Sequence, residues 1–321
     1  MTTATELTDI KVLAEGLLFP EGPVALPNGD VIVTELIGKR LTRVAADGTV
    51  SVIADLGGSP NGCAIGPDGA AYVCNSGGFA SQEMMGFLVP QGLHGETEPE
   101  DYIGGRIQRV DLATGEWTDL YTACDGNQLR GPNDIVFDAA GGFWFTDHGK
   151  MQRRTADRGG LYYALPDGSS IREVVYPLDA PNGVGLSPDD NTVYAAETHT
   201  GRLYSWQLSG PGQVIDGGGM GNGSTLVCGL PGNALFDSLG VEADGNICVA
   251  TIMSAGISVI SPTGAEVSLA ALPPELFDLL PTNICWGGPD LTTAYITLSS
   301  TKKLISCTWP RPGLPLHFLN R

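Results

Sequence analysis

Residues 131–147 read Gly131-Pro132-Asn133-Asp134-Ile135-Val136-Phe137-Asp138, then Ala139 to Gly142, then Phe143-Trp144-Phe145-Thr146-Asp147. Two runs of β-branched and aromatic residues flank a short Gly-containing connection, which is the pattern of a β-hairpin. An amide, Asn133, stands at the start of the first run. Variants of this sentence return along the chain. Asn61 heads a copy beginning Asn61-Gly62-Cys63-Ala64-Ile65, Asn182 one beginning Asn182-Gly183-Val184-Gly185-Leu186, and Asp237 one beginning Asp237-Ser238-Leu239-Gly240-Val241. Glu21 heads the first copy and Asn283 the last.

The heads lie 40, 72, 49, 55 and 46 residues apart. Repeats of this length that each hold several strands are the signature of a propeller. In the third unit 133–138 and 143–147 form one hairpin, and 160–165 with 170–176 form a second. Four antiparallel strands per unit make one blade. Six heads therefore predict an all-β, six-bladed β-propeller, one domain over residues 1–321. The last copy has three strands, 283–286, 293–298 and 303–309. Its outer strand is expected from 10–17, which would close the ring and remove its open edges.

The long second interval holds an insertion at 77–105, with Phe79, Met84, Met85, Phe87, Leu88, His94 and Tyr102 among Gly, Glu and Pro. It has no evident regular structure. Its apolar content reads as a packed lid, not a disordered segment. A Gly-rich loop at 210–223 reads as an outer-edge excursion, and 274–280 as a short turn of helix.

Composition narrows the function. With 45 Gly and 22 Pro in 321 residues, the chain has too many turn formers for a helical protein. A net charge of −19 excludes nucleic acid as a partner, because phosphate backbones need clustered Lys and Arg. No apolar run approaches the ~18 residues of a membrane span. Met1 to Glu15 lacks the charged and apolar regions of a signal peptide. The seven cysteines are scattered, without a Cys-x-x-Cys pair, and read as free thiols in a reducing, cytoplasmic setting.

In a propeller the innermost strands all start at one end of the central channel, so their heads converge. Here these are Glu21, Asn61, Asn133, Asn182, Asp237 and, in the last copy, Asn283. Two carboxylates and several amide oxygens, without Cys or His, suit a hard divalent cation: Ca²⁺ first, with Mg²⁺, Mn²⁺ or Zn²⁺ as alternatives. A cation would also relieve the repulsion between the carboxylates. One Asn-Gly pair alone is an ordinary turn former; the shared repeat phase carries the signal. Close to the same end, His148, Lys150, Arg153, Arg154 and His199 are either substrate-facing or part of a solvated basic loop. His94 and His317 read as surface residues.

Four stretches give the chain a family resemblance: Phe19-Pro20-Glu21-Gly22-Pro23-Val24, Gly131-Pro132-Asn133-Asp134, Ala180-Pro181-Asn182-Gly183, and the late run from Trp286-Gly287-Gly288-Pro289-Asp290 to Thr297. The chain resembles the SMP-30/gluconolactonase/luciferin-regenerating-enzyme family of six-bladed propellers, which is related to diisopropylfluorophosphatase. The resemblance implies a small-molecule lactone or ester substrate and one catalytic divalent cation. It implies Glu21, Asn182 and Asp237 as ligands, with Asn133 as a fourth ligand or a substrate contact. Asp237 is implied as general base or nucleophile. Asn61, His148 and His199 would then face the substrate. A phosphotriesterase-like hydrolase at the same site and a non-catalytic metal-binding propeller are the alternatives. Two departures from the family pattern stand out. Phe236-Asp237-Ser238 replaces the usual Pro-Asp-Gly, and Gly131 stands where sugar lactonases often carry Arg, with Arg130 one place away. The second departure, together with Met84, Met85 and Phe87, points to a less polar substrate.

Overall fold

The computed structural model describes residues 5–91, 98–216 and 222–321. Six antiparallel sheets are arranged as the blades of a propeller. From the channel outward, the first blade is Pro20–Ala25, Val31–Glu35, Arg40–Val44 and Val50–Asp55. The second is Pro60–Ile65, Ala71–Asn75, Arg106–Val110 and Trp117–Tyr121, and the third is Pro132–Phe137, Phe143–Asp147, Gly159–Ala164 and Ile171–Leu178. The fourth is Pro181–Leu186, Thr192–Glu197 and Arg202–Gly210, with Thr225–Gly229 and Gln213–Val214 both paired to the last of these. The fifth is Leu235–Val241, Ile247–Ile252, Gly256–Ile260 and Val267–Ala271.

The sixth blade combines both ends of the chain. Pro281–Gly287, Thr293–Leu298 and Lys303–Thr308 are completed by Thr8–Glu15, which pairs from Thr8 opposite Thr308 to Glu15 opposite Lys303. The closing strand lies two residues earlier than 10–17, because Gly16, at φ +79°, turns the chain out of the sheet.

Second strands are largely buried, and along their whole length in Val31–Glu35, Ala71–Asn75 and Phe143–Asp147. Each is covered on both faces by neighbouring blades, so its sequence is a continuous apolar run instead of an alternation. Outer strands such as Trp117–Tyr121 are mostly exposed. The core lies between blades: Trp144, Leu161 and Tyr163 pack against Val184, Val193 and Trp206 across the third junction.

One irregularity recurs in every blade. The pairing of the first two strands slips at Glu21/Val24, Pro60/Cys63, Pro132/Ile135, Pro181/Val184, Phe236/Leu239 and Pro281/Asn283. A bulge frees its residues from the ladder and re-aims their side chains. All six bulges fall at the heads of the innermost strands, where the repeat places its polar residue.

The insertion is more regular than its sequence implied. Ser81–Met84 and Phe87–Pro90 form a hairpin. Its two-residue turn, Met85 at φ +55° and Gly86 at φ +86°, has the left-handed conformation that tight hairpins require. The hairpin crosses to the far side of the mouth, where Leu88 N–H donates to Ser300 O and the Phe87 ring meets Phe277 edge-on at 6.5 Å. His94 lies outside the described residues. In the stretch 210–223, Gln213–Val214 pairs on the outer edge of the fourth blade, and 217–221 lie outside the described residues. The helical turn is a 3-10 turn at Pro274–Leu276. All seven cysteines are free thiols, five of them buried. Among the described residues no helix is long and apolar enough to cross a membrane.

The C-terminal segment crosses the lower end of the channel. Leu314 N–H donates to Val241 O, and His317 pairs with Asp190 at 2.9 Å. His317 is therefore a partly buried contact of this plug, contrary to its reading as a surface residue, because the tail folds back against the fourth blade.

Candidate active site at the upper end of the channel

Glu21, Asn61, Asn133, Asn182 and Asp237 all line one cavity of about 1120 Å³ at the upper channel mouth. The sixth head needs correction. Pro281 opens its strand as Pro20, Pro60, Pro132 and Pro181 open theirs, so the residue in register is Thr282, and it is Thr282 that lines the cavity. Asn283 occupies the next position, equivalent to Gly22, Gly62, Asp134, Gly183 and Ser238, and lines a smaller cavity on the opposite side. The frequent glycine at that position has a steric cause. A Cβ on Gly62 would lie 2.5 Å from Asn133 O, and one on Gly183 would lie 2.5 Å from Leu239 N. The innermost strands pack backbone to backbone around the axis, leaving room for little else.

The electrostatics of the five polar heads are unbalanced. Glu21 and Asp237 are both buried; the Glu21 carboxyl is raised to about 6 and that of Asp237 well above the ordinary range. Desolvation is the main cause for both, and the negative charge of Glu21 raises Asp237 further. Neither pairs with a Lys, Arg or His among the described residues. Glu21 accepts the Gly22 N–H at 2.7 Å and the Asn283 Nδ2–H at 3.1 Å. Asn182 donates Nδ2–H to Thr198 at 3.2 Å and accepts from Ser238 Oγ at 3.3 Å. Asn133 Oδ1 and Asn61 Oδ1 are buried without a partner among the described residues. A buried carbonyl oxygen left unpaired is costly unless something outside the chain satisfies it.

These groups fit a hard cation. Two carboxylates and the oxygens of Asn133 and Asn182 supply charge and hard donors in one place. Among the described residues no cluster of three or more His, Cys, Asp or Glu forms a metal site, so the fit depends on the amides.

A third carboxylate, Asp134, was not singled out from the sequence. It is buried on the lower-channel side, where it accepts N–H groups of Ile135 at 3.0 Å and Val184 at 3.2 Å. Burial, and then the charge of Glu21, push it up to about 7.

Behind the heads lies a second repeated set, also missed. Residues ending the second strands accept backbone N–H groups of the loops leading into the heads. Asn75 Oδ1 accepts from Ser59 N at 2.8 Å, Asp147 from Arg130 N and Gly131 N at 2.7 Å each, and Glu197 from Asp179 N at 2.8 Å. Glu35 does the same for Leu18 N at 2.6 Å. The signal was in the repeat: Glu35, Asn75, Asp147 and Glu197 each close the apolar run of a second strand.

The basic group of the third blade divides. His148 and Lys150 line the cavity, whereas Arg153 and Arg154 are solvent-exposed. His148 and His199 meet edge-on with centroids 5.8 Å apart. Burial holds both imidazoles below the usual range, His148 down to about 3, with His199 and Lys150 adding to the effect. Lys150 is buried, donates to Gly78 O at 2.7 Å, and is lowered by desolvation to about 7. Arg130 does not line the cavity, being paired with Glu98 and with Asp157 at 2.8 Å.

The sequence profile of the SMP-30/Gluconolactonase/LRE-like region matches residues 19–300. The chain belongs to this family. The profile spans every head from Glu21 to Thr282. The chain is also 27% identical over 275 residues to Lactonase drp35 of Staphylococcus haemolyticus, covering 85% of this chain and 75% of that protein. A Staphylococcus aureus Lactonase drp35 matches at 27% identity over 67% of this chain and 57% of its own length. Two solved structures share the fold. A gluconolactonase from Xanthomonas campestris superposes with a TM-score of 0.71 at 21% identity, covering 94% of this chain and 89% of that one. Regucalcin, a calcium-binding protein from Agrobacterium tumefaciens strain C58, superposes with a TM-score of 0.72 at 18% identity, covering 98% and 97%.

Proposed function

We propose that the chain hydrolyses a lactone or related cyclic ester at a divalent cation, Ca²⁺ in the first instance, held by Glu21, Asn133, Asn182 and Asp237. One observation carries this reading. Among the described residues, two buried carboxylates repel each other at the channel mouth with no cationic side chain paired to either, beside an Asn133 oxygen without a partner. The lactonases among its sequence relatives support the reaction class, and the calcium-binding protein among its fold relatives supports the ion.

The roles of the residues follow from their positions. A bound divalent cation supplies Lewis-acid polarisation of the ester carbonyl. Asp237 takes the proton from the attacking water and returns it to the ring oxygen as the ester bond breaks. Asn61, with no partner for its oxygen among the described residues, offers a hydrogen-bonding group to the bound ring. His148 and His199 are neutral at pH 7 and contact the substrate as uncharged imidazoles. Thr198 and Ser238 keep the Asn182 amide from rotating.

The test is a lactone panel read by pH-stat at neutral pH, with protein stripped by EDTA and then reconstituted with Ca²⁺. Loss of turnover on stripping and recovery on reconstitution is the expected result. Undiminished turnover without metal overturns the metal assignment. Calcium binding without turnover of any lactone or ester overturns the enzymatic one.

A further inference from the structure

The walls of the cavity differ sharply in character. The side under the hairpin is built from Phe19, Leu36, Phe79, Val89 and Leu280, which form one apolar cluster with the hairpin itself. Phe19 and Phe79 touch with ring centroids 5.3 Å apart. The other side carries His148, Lys150 and His199. Burial strips both imidazoles of charge and lowers the ammonium of Lys150, so this side offers weakly charged hydrogen-bonding groups and no fixed anion clamp. The apolar surface continues outward. Met84, Met85, Met253 and Phe277 are exposed at the mouth of a chain whose net charge is −19.

Size points the same way. The cavity, about 1120 Å³, is larger than ordinary ligand pockets, roughly 300–1,000 Å³. An unsubstituted five- or six-membered lactone resting on Glu21, Asn133, Asn182 and Asp237 would leave most of it unfilled. Ser76, Gln82, Gln91 and Asn233 supply polar groups elsewhere in the lining. Sugar hydroxyls lying against Phe19, Leu36, Phe79, Val89 and Leu280 would still meet groups that cannot hydrogen-bond. Arg130, the residue nearest in sequence to a sugar-binding arginine, is held outside the cavity by Glu98 and Asp157.

We infer that the substrate is a lactone carrying an extended apolar substituent, which lies beneath the hairpin against Phe19, Phe79 and Val89 while the ester sits on the channel floor. The inference rests on the lactonase reading and names the substrate class for that same site. The apolar arm is recognised by area removed from water, so recognition grows with chain length until the wall is covered. The insertion supplies Phe79 and Val89 to this wall and the rim above it, while Phe19 and Leu36 come from the first blade and Leu280 from the approach to the last.

A homologous series tests it. Racemic γ-lactones bearing methyl, propyl, hexyl and octyl groups, together with glucono-δ-lactone, are assayed with the calcium-loaded protein. In parallel, the matching γ-lactams, which resist hydrolysis, are titrated by calorimetry. The expected result is a rise in kcat/KM and in lactam affinity of roughly two- to fourfold per methylene, amounting to at least about 30-fold between methyl and hexyl. Phe79→Ser and Val89→Ser should each reduce that slope. A flat or falling slope in both series, or preference for glucono-δ-lactone over every alkyl lactone, overturns the inference while leaving lactone hydrolysis intact. Chain-length-dependent lactam binding without turnover of any lactone overturns the lactonase reading, and with it the lactone as substrate, while retaining the apolar wall as the recognition surface.

Discussion

The Asn283 amide donates to Glu21 Oε2 at 3.1 Å, joining the last blade to the first at the channel axis. The two residues are 262 positions apart, and both belong to innermost strands. The contact fixes the orientation of a carboxylate that has no salt-bridge partner among the described residues. Asn283→Ala should leave the propeller folded and weaken Ca²⁺ binding about 10- to 100-fold, the usual effect of removing a group that orients a ligand. Calorimetric titration with Ca²⁺ reads this directly, and unchanged affinity would assign the contact to packing alone.

Asp237→Asn should separate chemistry from stability. Removal of the proton acceptor predicts a loss in kcat of about 10²- to 10⁴-fold. The metal-free fold should melt no lower than the parent, since the change removes one of two repelling charges. A single turnover in ¹⁸O-labelled water should place label in the hydroxy acid and none in Asp237; label in the side chain would instead assign it as the nucleophile.

The raised carboxylates make a prediction about pH. Glu21, Asp237 and Asp134 are held above their ordinary values, Asp134 at about 7. An acid raised in the folded state binds protons there that the unfolded chain has released. Its contribution is therefore fully present below the ordinary carboxylate range and is lost as pH rises through the folded value. The lowered His148, His199 and Lys150 act with the opposite sign across the same window, so the carboxylates are read by difference. Between pH 5.5 and 8 the EDTA-treated parent should lose more Tm than EDTA-treated Asp237→Asn. Ca²⁺ should flatten the profile, because it stabilises the ionised form and binds only the folded state. Carboxylates held low, such as Asp189 with Ser187 and Asn191, act below this window. Scanning calorimetry in both states at several pH values checks the sign.

Asp147 tests the layer behind the heads. Its carboxylate accepts N–H groups of Arg130, Gly131 and Gly149, and Asn133 follows two residues after Gly131. Asp147→Ala leaves these donors unpaired at a cost on the order of 3 kcal/mol or more. Asp147→Asn, which keeps one acceptor oxygen, should cost less. Both should lower Ca²⁺ affinity as Asn133 loses its support. Denaturant midpoints and calcium titrations of the pair check the order.

Deleting residues 1–15 removes the strand Thr8–Glu15 and exposes the edge of Lys303–Thr308. The truncated chain should melt well below the parent or aggregate, since an unpaired edge is a template for association. A soluble monomer of unchanged Tm would show that ring closure contributes nothing.

Much of this was legible in the chain. Repeat length, hairpin turns and the phase of the polar heads gave the blade number, the closing strand and the position of Glu21, Asn133, Asn182 and Asp237 at a single mouth. The sixth head was misread by one residue. Asn283 matched the chemistry of the other heads, whereas the register follows Pro281 and selects Thr282. One residue reverses the face in a strand, and only strand pairing decides between neighbours. The hairpin in 81–90 was missed because its turn relies on Met85 in a left-handed conformation, which no local pattern predicts.

The sequence by itself determined the fold and the identity of five of the six polar heads, because the pattern is local and repeated. Tertiary structure decided what those heads experience. Asp134 lies one residue from Asn133, yet a bulge sends it to the opposite side of the ring. Lys150 and Arg153 lie three residues apart, yet one is buried against Gly78 and the other is in solvent. Burial, desolvation and the apolar wall under the hairpin arise from segments far apart in the chain that meet at one mouth. Those long-range meetings set the charge of the site and the class of molecule it can hold.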